Sequence, residues 1–332
     1  MKRLFFIGVI MLAAAIFADA AHSKTYKLAM CTGWMGYSPA NIAEAKGFWK
    51  EQGIDVQVSV LPELVDTQKL LKNRLVDIDL DIVGSAVEMY MQGIPVVVIA
   101  EIDWSYSGDQ LILKKDADIR NLRGSSIGVY TTQVSLTYFL NLYFSKNSMK
   151  LSDFQLLEME LEPMADKFIA GILQGAVLYG PEVMRAVKEG NGKIVATTAD
   201  FEGCLIDGMV MLKDTFNATP KDDLVRIFKG WIKAVKWIKD EKNFKEYVDI
   251  VNKTIFKGEK PYAEDAIKEM LQIVRIHDAK TMSEINKDGG GLHAHLNDVN
   301  AFLKANNLLK KDFKPEDLSD NKAIMEALKN SQ

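Results

Sequence analysis

The sequence predicts an α/β protein built on largely parallel sheets, because short apolar runs alternate along the chain with helical stretches. Ten of these runs have the length and composition of strands, at 26–30, 55–60, 78–83, 96–102, 110–113, 126–129, 154–159, 176–179, 193–196 and 209–212. Turn signals separate several of them, at 93–95, 124, 190–192 and 203. After residue 215 the pattern changes to amphipathic helices, predicted at 222–252, 262–276, 296–306 and 321–329.

The first strand–loop–helix unit is the most informative part of the chain. Its loop, 33–37, has the sequence Gly-Trp-Met-Gly-Tyr. Pro39 suits the first turn of the next helix, where its missing N–H costs nothing. Gly47 ends that helix, and Gly53 ends a second helical turn before the strand 55–58. Open α/β sheets bind ligands at loops that follow the carboxyl end of a strand, so we expect 33–37 to contact one.

Length, charge and the amino terminus indicate an exported protein. The 332 residues are enough for two domains of ordinary size. Residues 1–20 have the positive start, apolar run and small-residue cleavage site of a secretory signal peptide, and the run is too short for a membrane span. Removing Lys2, Arg3 and Asp19 changes the net charge from −4 to −5. This mild acidity argues against nucleic acid or an anionic membrane as a partner, and we expect the mature protein in the periplasm.

Two cysteines, Cys31 and Cys204, are present. In an oxidising compartment they can form a disulfide. Two buried free thiols are the alternative, because a chain of this length needs no covalent link to build a core. Lipid attachment at Cys31 is not expected, since this residue lies well beyond the apolar run and follows Met30.

Residues 27–58 resemble the opening of the substrate-binding proteins of the nitrate/sulfonate/taurine and thiamine-pyrimidine family of ABC importers. In that family a strand and a Gly-aromatic-Pro loop precede the pattern A-x-x-x-G-F-F-x-x-x-G-L-x-V. The positions that fit are Ala43, Gly47, Phe48, Gly53, Ile54 and Val56, with Trp49 in place of the second Phe.

The resemblance covers about residues 25–240 and implies the type II fold of periplasmic binding proteins. In this fold two α/β lobes, each a mainly parallel sheet flanked by helices, are joined by two crossing segments. A helical carboxyl-terminal section covers the first lobe. For this chain the resemblance implies lobe one at 21–108 plus 208–332 and lobe two at 109–207.

The resemblance also implies a ligand cleft between the lobes, where loops and helix amino ends meet. In the first loop we expect Trp34, Gly36 and Tyr37 to bind the ligand, because aromatic rings offer a flat surface for a ring or a methylated amine. A second stretch of this chain matches the family's D-x-x-x-x-x-S/G segment. From it we expect Gly84 and Ser85 to bind the ligand, because small residues there expose backbone N–H groups. The alternatives are that Trp34 and Tyr37 only pack under the loop and that Ser85 is only an ordinary helix cap.

The first crossing, 102–109, resembles the family's D-x-S-x-G-A-D stretch in its acid, serine and glycine positions. From it we expect Asp103, Trp104 and Tyr106 to bind the ligand, in combination with a role as hinge. A purely structural crossing is the alternative.

Two segments of the predicted second lobe complete the candidate site. Hydroxyls and free N–H groups at a helix start can hold a polar or anionic group, so Thr131, Thr132, Gln133 and Ser135 are expected to bind. Simple helix capping is the alternative here. The second segment is 175–182.

That segment resembles the family's D-A-x-x-x-W-E-P stretch, with departures. Gly175 replaces the usual Asp, and Pro181 precedes the acid instead of following it. We expect Tyr179, in the position of the Trp, and Glu182 to close over the ligand.

The candidate residues contain aromatics, hydroxyls and acids but no lysine or arginine. This balance favours a neutral or cationic organic solute, such as a heterocycle or an amine, over nitrate or a sulfonate, although helix starts can also supply donors to an anion. We found no catalytic or phosphate-binding motif and expect no cofactor. His293 and His295 are expected in a solvated loop, not in a metal site, and His277 at the end of a helix.

The sequence therefore predicts a monomeric solute-binding receptor that delivers a small organic molecule to an ABC permease in the inner membrane. A ligand-sensing module that presents its closed form to a membrane signalling protein is the alternative, because both use the same closure. Pyrimidine synthases of the same fold consume a histidine and carry a cysteine-rich iron motif. Two distant cysteines and an export signal argue against that enzyme.

Overall fold

The computed structural model describes residues 24–130 and 134–329. The strands are β1 (Thr25–Cys31), β2 (Asp55–Leu61), β3 (Ile78–Ile82), β4 (Val96–Ser105), β5 (Asp109–Lys114), β6 (Ser126–Tyr130), β7 (Gln155–Met159), β8 (Gly175–Tyr179), β9 (Gly192–Thr197), β10 (Ile206–Leu212) and β11 (Val274–Ile276). The helices are α1 (Ser38–Ala45), α2 (Phe48–Glu51), α3 (Leu64–Lys72), α4 (Val83–Met91), α5 (Val134–Lys146), α6 (Leu161–Ile169), α7 (Pro181–Lys188), α8 (Lys213–Ala218), α9 (Lys221–Ile238), α10 (Phe244–Thr254), α11 (Glu264–Gln272), α12 (Ala279–Asn286), α13 (Gly291–Ala305), α14 (Pro315–Leu318) and α15 (Lys322–Lys329).

A six-stranded sheet has the strand order β11-β4-β10-β3-β1-β2. Strand β1 pairs in parallel with β2 and with β3. Strand β10 runs antiparallel to both β3 and β4, so β4 points in the same direction as β1, β2 and β3. The carboxyl ends of β1 to β4 therefore lie at one edge of this sheet, together with the amino end of β10.

A five-stranded sheet has the order β7-β6-β8-β5-β9. Strand β6 is parallel to β7 and β8, whereas β5 is antiparallel to β8 and β9. The carboxyl ends of β6 to β9 thus share an edge with the amino end of β5. The chain passes between the two sheets twice, through a first crossing segment (106–108) and a second crossing segment (198–205).

The predicted α/β fold with two mainly parallel sheets is confirmed, because β1 to β4 share one direction and β6 to β9 share another, whereas β5, β10 and β11 run opposite to their neighbours. Strands β5 and β10 follow directly after the crossing segments. They start at the edge where the neighbouring strands end, so they must run in the opposite direction. The lobe boundaries at 108/109 and 207/208 stay a prediction.

All ten predicted strands are present, and the carboxyl-terminal region is helical as predicted. The helix predicted at 262–276 is wrong at its end, because Val274–Ile276 forms β11 and pairs with the edge of β4. The helix predicted at 222–252 is two helices. Asp240 accepts a hydrogen bond from the Lys242 backbone N–H at 3.1 Å and starts a new turn between α9 and α10.

Helix α9 anchors the carboxyl-terminal helices on one face of the six-stranded sheet. Its Trp231 is fully buried. The Trp49 indole of α2 donates a hydrogen bond to the Ile227 carbonyl at 3.0 Å and lies against Gly230, where any Cβ would clash with the ring. The family-like position Trp49 therefore holds the amino-terminal unit to α9.

Cys31 and Cys204 are both buried free thiols. Of the two alternatives drawn from the sequence, the structure contains the unpaired one. The predicted signal peptide, 1–20, lies outside the described residues. In the part of the chain that the structure describes, no helix has the length and apolar character of a membrane span.

The predicted positions of the three histidines are wrong. His277 follows β11 instead of ending a helix, and it is buried beside Glu101, with Nε2 3.3 Å from Oε1. His293 and His295 lie within α13 and not in a loop. The reason is that the third glycine of the Gly-Gly-Gly run, Gly291, is the first residue of that helix.

Candidate ligand-binding site

The two sheet edges that collect strand ends face each other. Gly84 and Ser135 are the second residues of α4 and α5, and these two helix starts touch. A Cβ added to Gly84 would lie 2.7 Å from the backbone nitrogen of Ser135, so only glycine permits this approach. Such an edge is where α/β sheets bind ligands.

The loop after β1 holds two aromatic side chains against carboxyls of β4 and β10. The Trp34 indole donates a hydrogen bond to Asp103 Oδ1 at 3.0 Å. The Tyr37 hydroxyl donates to Asp207 Oδ1 at 2.7 Å. Gly36 brings the loop backbone close, since an added Cβ would lie 2.5 Å from the carboxyl atoms of Asp103. The loop and the two strands thus form one cluster of aromatic donors and carboxyl acceptors.

Four carboxyls are buried where the edges meet. Asp81, Asp103 and Asp207 are at most 2% exposed, and Asp109 is 8% exposed. We define these four as the carboxyl cluster. Within residues 24–130 and 134–329, none of the four forms an ion pair with a lysine or arginine. Buried charges in proteins are usually paired, so the cluster is unusual.

Burial changes the protonation of the carboxyl cluster. Loss of solvation raises the pKa of Asp81 and of Asp103 to about 7 and that of Asp109 to about 6. Burial, followed by the charge of Asp103, raises the pKa of Asp207 well above its usual value. The uncharged form of a buried acid is favoured when no counter-charge is near. Asp81, Asp103 and Asp207 are therefore at least partly protonated at neutral pH.

The facing edge of the five-stranded sheet contributes aromatic rings. Tyr130 and Tyr179 end β6 and β8, and their rings are T-shaped with centroids 6.2 Å apart. Burial raises the pKa of both hydroxyls, and Glu160 adds to the effect at Tyr130. Burial and then the charge of Glu160 raise the pKa of Glu63, so these two carboxyls lie close together.

A hydrogen-bonded clasp joins the two crossing segments beside the carboxyl cluster. The Ser105 hydroxyl donates to Asp109 Oδ2 at 2.8 Å and lies 2.8 Å from Thr198 Oγ1. Thr198 Oγ1 also accepts from the Ser107 backbone N–H at 3.0 Å. Because the single Ser105 proton goes to Asp109, the Thr198 hydroxyl donates to Ser105. The clasp thus fixes the position of Asp109 relative to both crossings.

Several predicted residues lie together in this arrangement. Asp103, itself a predicted residue, and Asp207 are contacted by the predicted loop residues Trp34, Gly36 and Tyr37. Gly84 and Ser135 form the contact between helix starts, and both Ser85 and Ser135 are buried. Ser85 bonds to the Asp81 carboxyl and lowers its pKa against the larger effect of burial.

Other predicted residues have different partners. The Trp104 indole donates to Glu101 Oε1 and lies edge-on to His277, with ring centroids 5.0 Å apart. The Tyr106 ring lies under the Arg275 guanidinium, 3.3 Å from its centroid. Glu182 accepts a hydrogen bond from its own helix neighbour, Arg185, at 2.6 Å. The predicted residues Thr131, Thr132 and Gln133 lie outside the described residues.

Sequence reasoning missed Asp81 and Asp207 as members of the site. Both carried a signal, because each is a charged residue inside an otherwise apolar strand. Asp81 belongs to the run Ile-Asp-Leu-Asp-Ile of β3, and Asp207 precedes Gly208 in β10. An aspartate in a buried strand is rare unless it has a partner or a function.

The site is composed mainly of hydrogen-bond acceptors and aromatic rings. Among the described residues no group of three or more His, Cys, Asp or Glu side chains is arranged to hold a metal ion. Cys31 lies near the cluster, but burial and the charge of Asp207 raise the pKa of its thiol, so it is not a reactive thiolate. The arrangement suits noncovalent binding of a hydrogen-bond donor.

Comparison with known proteins gives the same fold. The periplasmic sulfonate-binding protein SsuA of Methylobacillus flagellatus is 15% identical, with a TM-score of 0.69 over 93% of this chain and 95% of that chain. The periplasmic nitrate-binding protein NrtA of Synechocystis is 14% identical, with a TM-score of 0.64 over 93% and 89%. YtlA of Bacillus subtilis, named as a binding protein, is 27% identical over 225 residues, 64% of this chain and 66% of that protein.

The sequence model of the NMT1/THI5-like family matches residues 34–242, more than half of the chain. This range includes the loop 33–37 from Trp34 onward, both crossing segments and all four members of the carboxyl cluster. The resemblance seen in the sequence is thereby confirmed, and its structural relatives include periplasmic substrate-binding proteins of ABC transporters. This chain belongs to the NMT1/THI5-like family.

Proposed function

We propose that this protein is an exported, monomeric solute-binding receptor that captures a small organic cation between its two lobes and delivers it to an ABC importer in the inner membrane. The observation that carries the proposal is the carboxyl cluster, which is buried and has no basic partner in the described part of the chain. A protonated amine bound there would supply the missing positive charge.

The energetics of the carboxyl cluster favour a cation over an anion. Burying an ionised carboxylate without a partner costs several kcal/mol, so the unliganded cluster retains protons. An ammonium group allows the carboxyls to ionise and to accept charge-assisted hydrogen bonds, which contribute about 1.5–3 kcal/mol each. Nitrate or a sulfonate would instead add negative charge beside Asp103 and Asp207. The ligands named for SsuA and NrtA therefore do not suit this cluster.

The aromatic side chains complete a site for an organic amine. Trp34 and Tyr37 are held by hydrogen bonds to Asp103 and Asp207, which fixes their rings beside the carboxyls. Tyr130 and Tyr179 lie on the facing edge. Aromatic faces attract cations and cover the apolar part of an amine.

Closure of the two lobes supports the receptor role. The helix starts at Gly84 and Ser135 touch, and the clasp of Ser105 and Thr198 joins the crossing segments. A ligand that binds the closed arrangement more tightly than the open one shifts the protein toward closure. We infer that the closed form is the one a permease recognises in the periplasm. The role is binding, and no catalytic step or cofactor is part of the proposal.

Thermal shift and calorimetry on the mature protein test the ligand class. The panel contains aliphatic and aromatic primary amines, taurine, an alkylsulfonate, nitrate and pyrimidines. We expect amines to raise the melting temperature, and Asp103→Asn to reduce this shift strongly. Asp265→Asn changes a fully exposed acid and is the matched control.

The outcomes of that panel test the ligand class and the receptor function separately. A shift with nitrate or sulfonate and none with amines contradicts the cationic ligand. No shift with any small solute contradicts the receptor function itself. Loss of uptake of the bound amine in a deletion strain supports delivery to an importer, whereas intact uptake favours the sensing alternative.

A further inference from the structure

A second cavity lies beside the crossing segments and is separate from the carboxyl cluster. Its volume is about 390 Å³, within the range of small-molecule sites. Its walls come from β4, α5, the second crossing segment, the start of β10 and α13. We call it the hinge cavity. Among the predicted site residues that the structure describes, only Trp104 lines it, and no member of the carboxyl cluster does.

Glu101 lines the hinge cavity and carries an unsatisfied acceptor. This side chain is 1% exposed. Its Oε1 accepts a hydrogen bond from the Trp104 indole and lies 3.3 Å from His277 Nε2. Its Oε2 has no hydrogen-bond partner among the residues that the structure describes. A buried polar atom without a partner costs about 1–3 kcal/mol.

His295 also lines the cavity and carries a second unsatisfied acceptor. It is 7% exposed, and its Nδ1 lies 3.0 Å from the Gly203 carbonyl oxygen. A carbonyl only accepts, so Nδ1 carries the hydrogen. Burial lowers the pKa of this imidazole to about 4, and the ring is neutral. Nε2 is therefore a lone-pair acceptor, and it too has no partner in the described part of the chain.

The remaining walls add negative charge and aromatic surface. The carboxyls of Glu202 and Asp298 are exposed at the cavity, and no lysine or arginine is among its lining residues. Trp104, Tyr138 and Phe201 supply the aromatic walls. Acceptors and acids beside aromatic rings are the recognition chemistry of a ring-bearing ammonium ion.

We propose that the hinge cavity is a second ligand site, for an arylalkylamine. The ammonium donates hydrogen bonds to Glu101 Oε2 and His295 Nε2, and the ring lies against Trp104, Tyr138 and Phe201. The proposal does not rest on the carboxyl cluster, because the two sites share no carboxyl group.

Titration calorimetry of the mature protein with phenethylamine tests the site. Ala294 is an exposed, cavity-lining residue of α13, so Ala294→Phe is designed to fill the cavity while leaving Glu101 and His295 themselves unchanged. Asn297→Phe adds the same ring on the same helix outside the cavity and is the control. We expect saturable binding that weakens at least tenfold in Ala294→Phe and Glu101→Gln, the loss of one charge-assisted hydrogen bond, but not in Asn297→Phe.

Two results overturn the hinge site. One is the absence of saturable phenethylamine binding at millimolar concentrations, and the other is unchanged binding in Ala294→Phe. A double variant, Asp103→Asn with Asp207→Asn, separates this site from the proposed function. Binding that persists in the double variant and disappears in Ala294→Phe supports the hinge cavity alone. Binding that disappears only in the double variant assigns phenethylamine to the carboxyl cluster and contradicts the second site.

Discussion

The two facing sheet edges differ in what they present to the gap between them. The edge of the six-stranded sheet supplies Asp81, Asp103 and Asp207, all buried and without basic partners in the described residues. The edge of the five-stranded sheet supplies mainly tyrosine rings and a helix start, and Asp109 is its single buried acid among the residues that the structure describes. The six-stranded edge therefore provides carboxyl groups, and the five-stranded edge provides aromatic surface and hydroxyls.

This difference assigns distinct roles to the two edges in the proposed receptor. Charge-assisted hydrogen bonds contribute two or three times as much as neutral ones, so the six-stranded sheet should determine ligand class and most of the affinity. The five-stranded sheet should contribute through closure, since its helix start meets Gly84. The predictions below test that division, starting with the largest expected effect.

The largest effect is expected from the charged edge. Asp103→Asn together with Asp207→Asn should lower the affinity for the best amine of the panel by about 100-fold, because two charge-assisted hydrogen bonds are lost. Tyr179→Phe on the opposite edge should cost about tenfold or less, the value of a neutral hydrogen bond. Calorimetry on both variants measures the ratio of the two losses of affinity, with Asp265→Asn as control. Equal losses from the two edges would contradict the division of roles.

The second effect concerns the stability of the unliganded protein. Folding raises the pKa of Asp103 from 3.8 to about 7, so the folded state binds more protons than the unfolded state between these values. Stability should therefore fall as pH rises from about 4 to 7 and then level off. The loss for this one group exceeds about 1.4 kcal/mol, the value of one pKa unit.

Chemical denaturation at pH 5 and pH 8 measures this loss. Asp103→Asn removes the ionisable group and should make the pH dependence shallower. An amine bound at saturation should do the same, because it stabilises the ionised carboxyl. An unliganded protein that is more stable at pH 8 than at pH 5 would contradict the buried, unpaired cluster.

A third effect is expected at the contact between the edges. Gly84→Ala places a Cβ 2.7 Å from the Ser135 nitrogen and should keep the helix starts apart. Overpacking of this kind costs about 1–3 kcal/mol, so ligand affinity should fall about tenfold. Small-angle scattering with ligand should show a more open shape. Ser135→Ala keeps the close approach and should close normally, and closure of Gly84→Ala to the wild-type shape would contradict the prediction.

The smallest effect is expected at the clasp between the crossing segments. Thr198→Val removes the hydroxyl that bonds to Ser105 and to the Ser107 backbone N–H. The free energy of unfolding should fall by about 1 kcal/mol, the value of a typical hydrogen bond. Thr215→Val, at a half-buried position in α8, is the control. No difference between the two variants would show that the clasp does not hold the crossings.

Much of the fold followed from local sequence patterns. Every predicted strand is present because apolar alternation and glycine turns act over a few neighbouring residues. Strand β11 was missed because its three residues are extended only through pairing with the edge of β4. The direction of β5 and β10 was missed for a related reason, since strand direction depends on where the chain crosses between sheets.

The candidate site was predictable only in part. Trp34, Gly36, Tyr37 and Asp103 lie in one cluster as local motifs suggested. Glu182 and Tyr106 also lie in segments that resemble the family, yet Arg185 bonds to Glu182 and Arg275 stacks on the ring of Tyr106. Such pairings depend on where the side chains lie after folding, so a short sequence motif does not reveal them.

The sequence by itself determined the α/β class, the positions of the strands and the family, because each depends on short-range periodicity and local motifs. Only the tertiary structure decided that Asp81, Asp103 and Asp207 meet without a basic partner among the described residues. These aspartates come from separate parts of the chain, and they meet because β10 inserts between β3 and β4 after its return from the five-stranded sheet. The charge of a site is a property of that meeting, since burial and proximity, not residue type alone, decide whether a carboxyl is ionised.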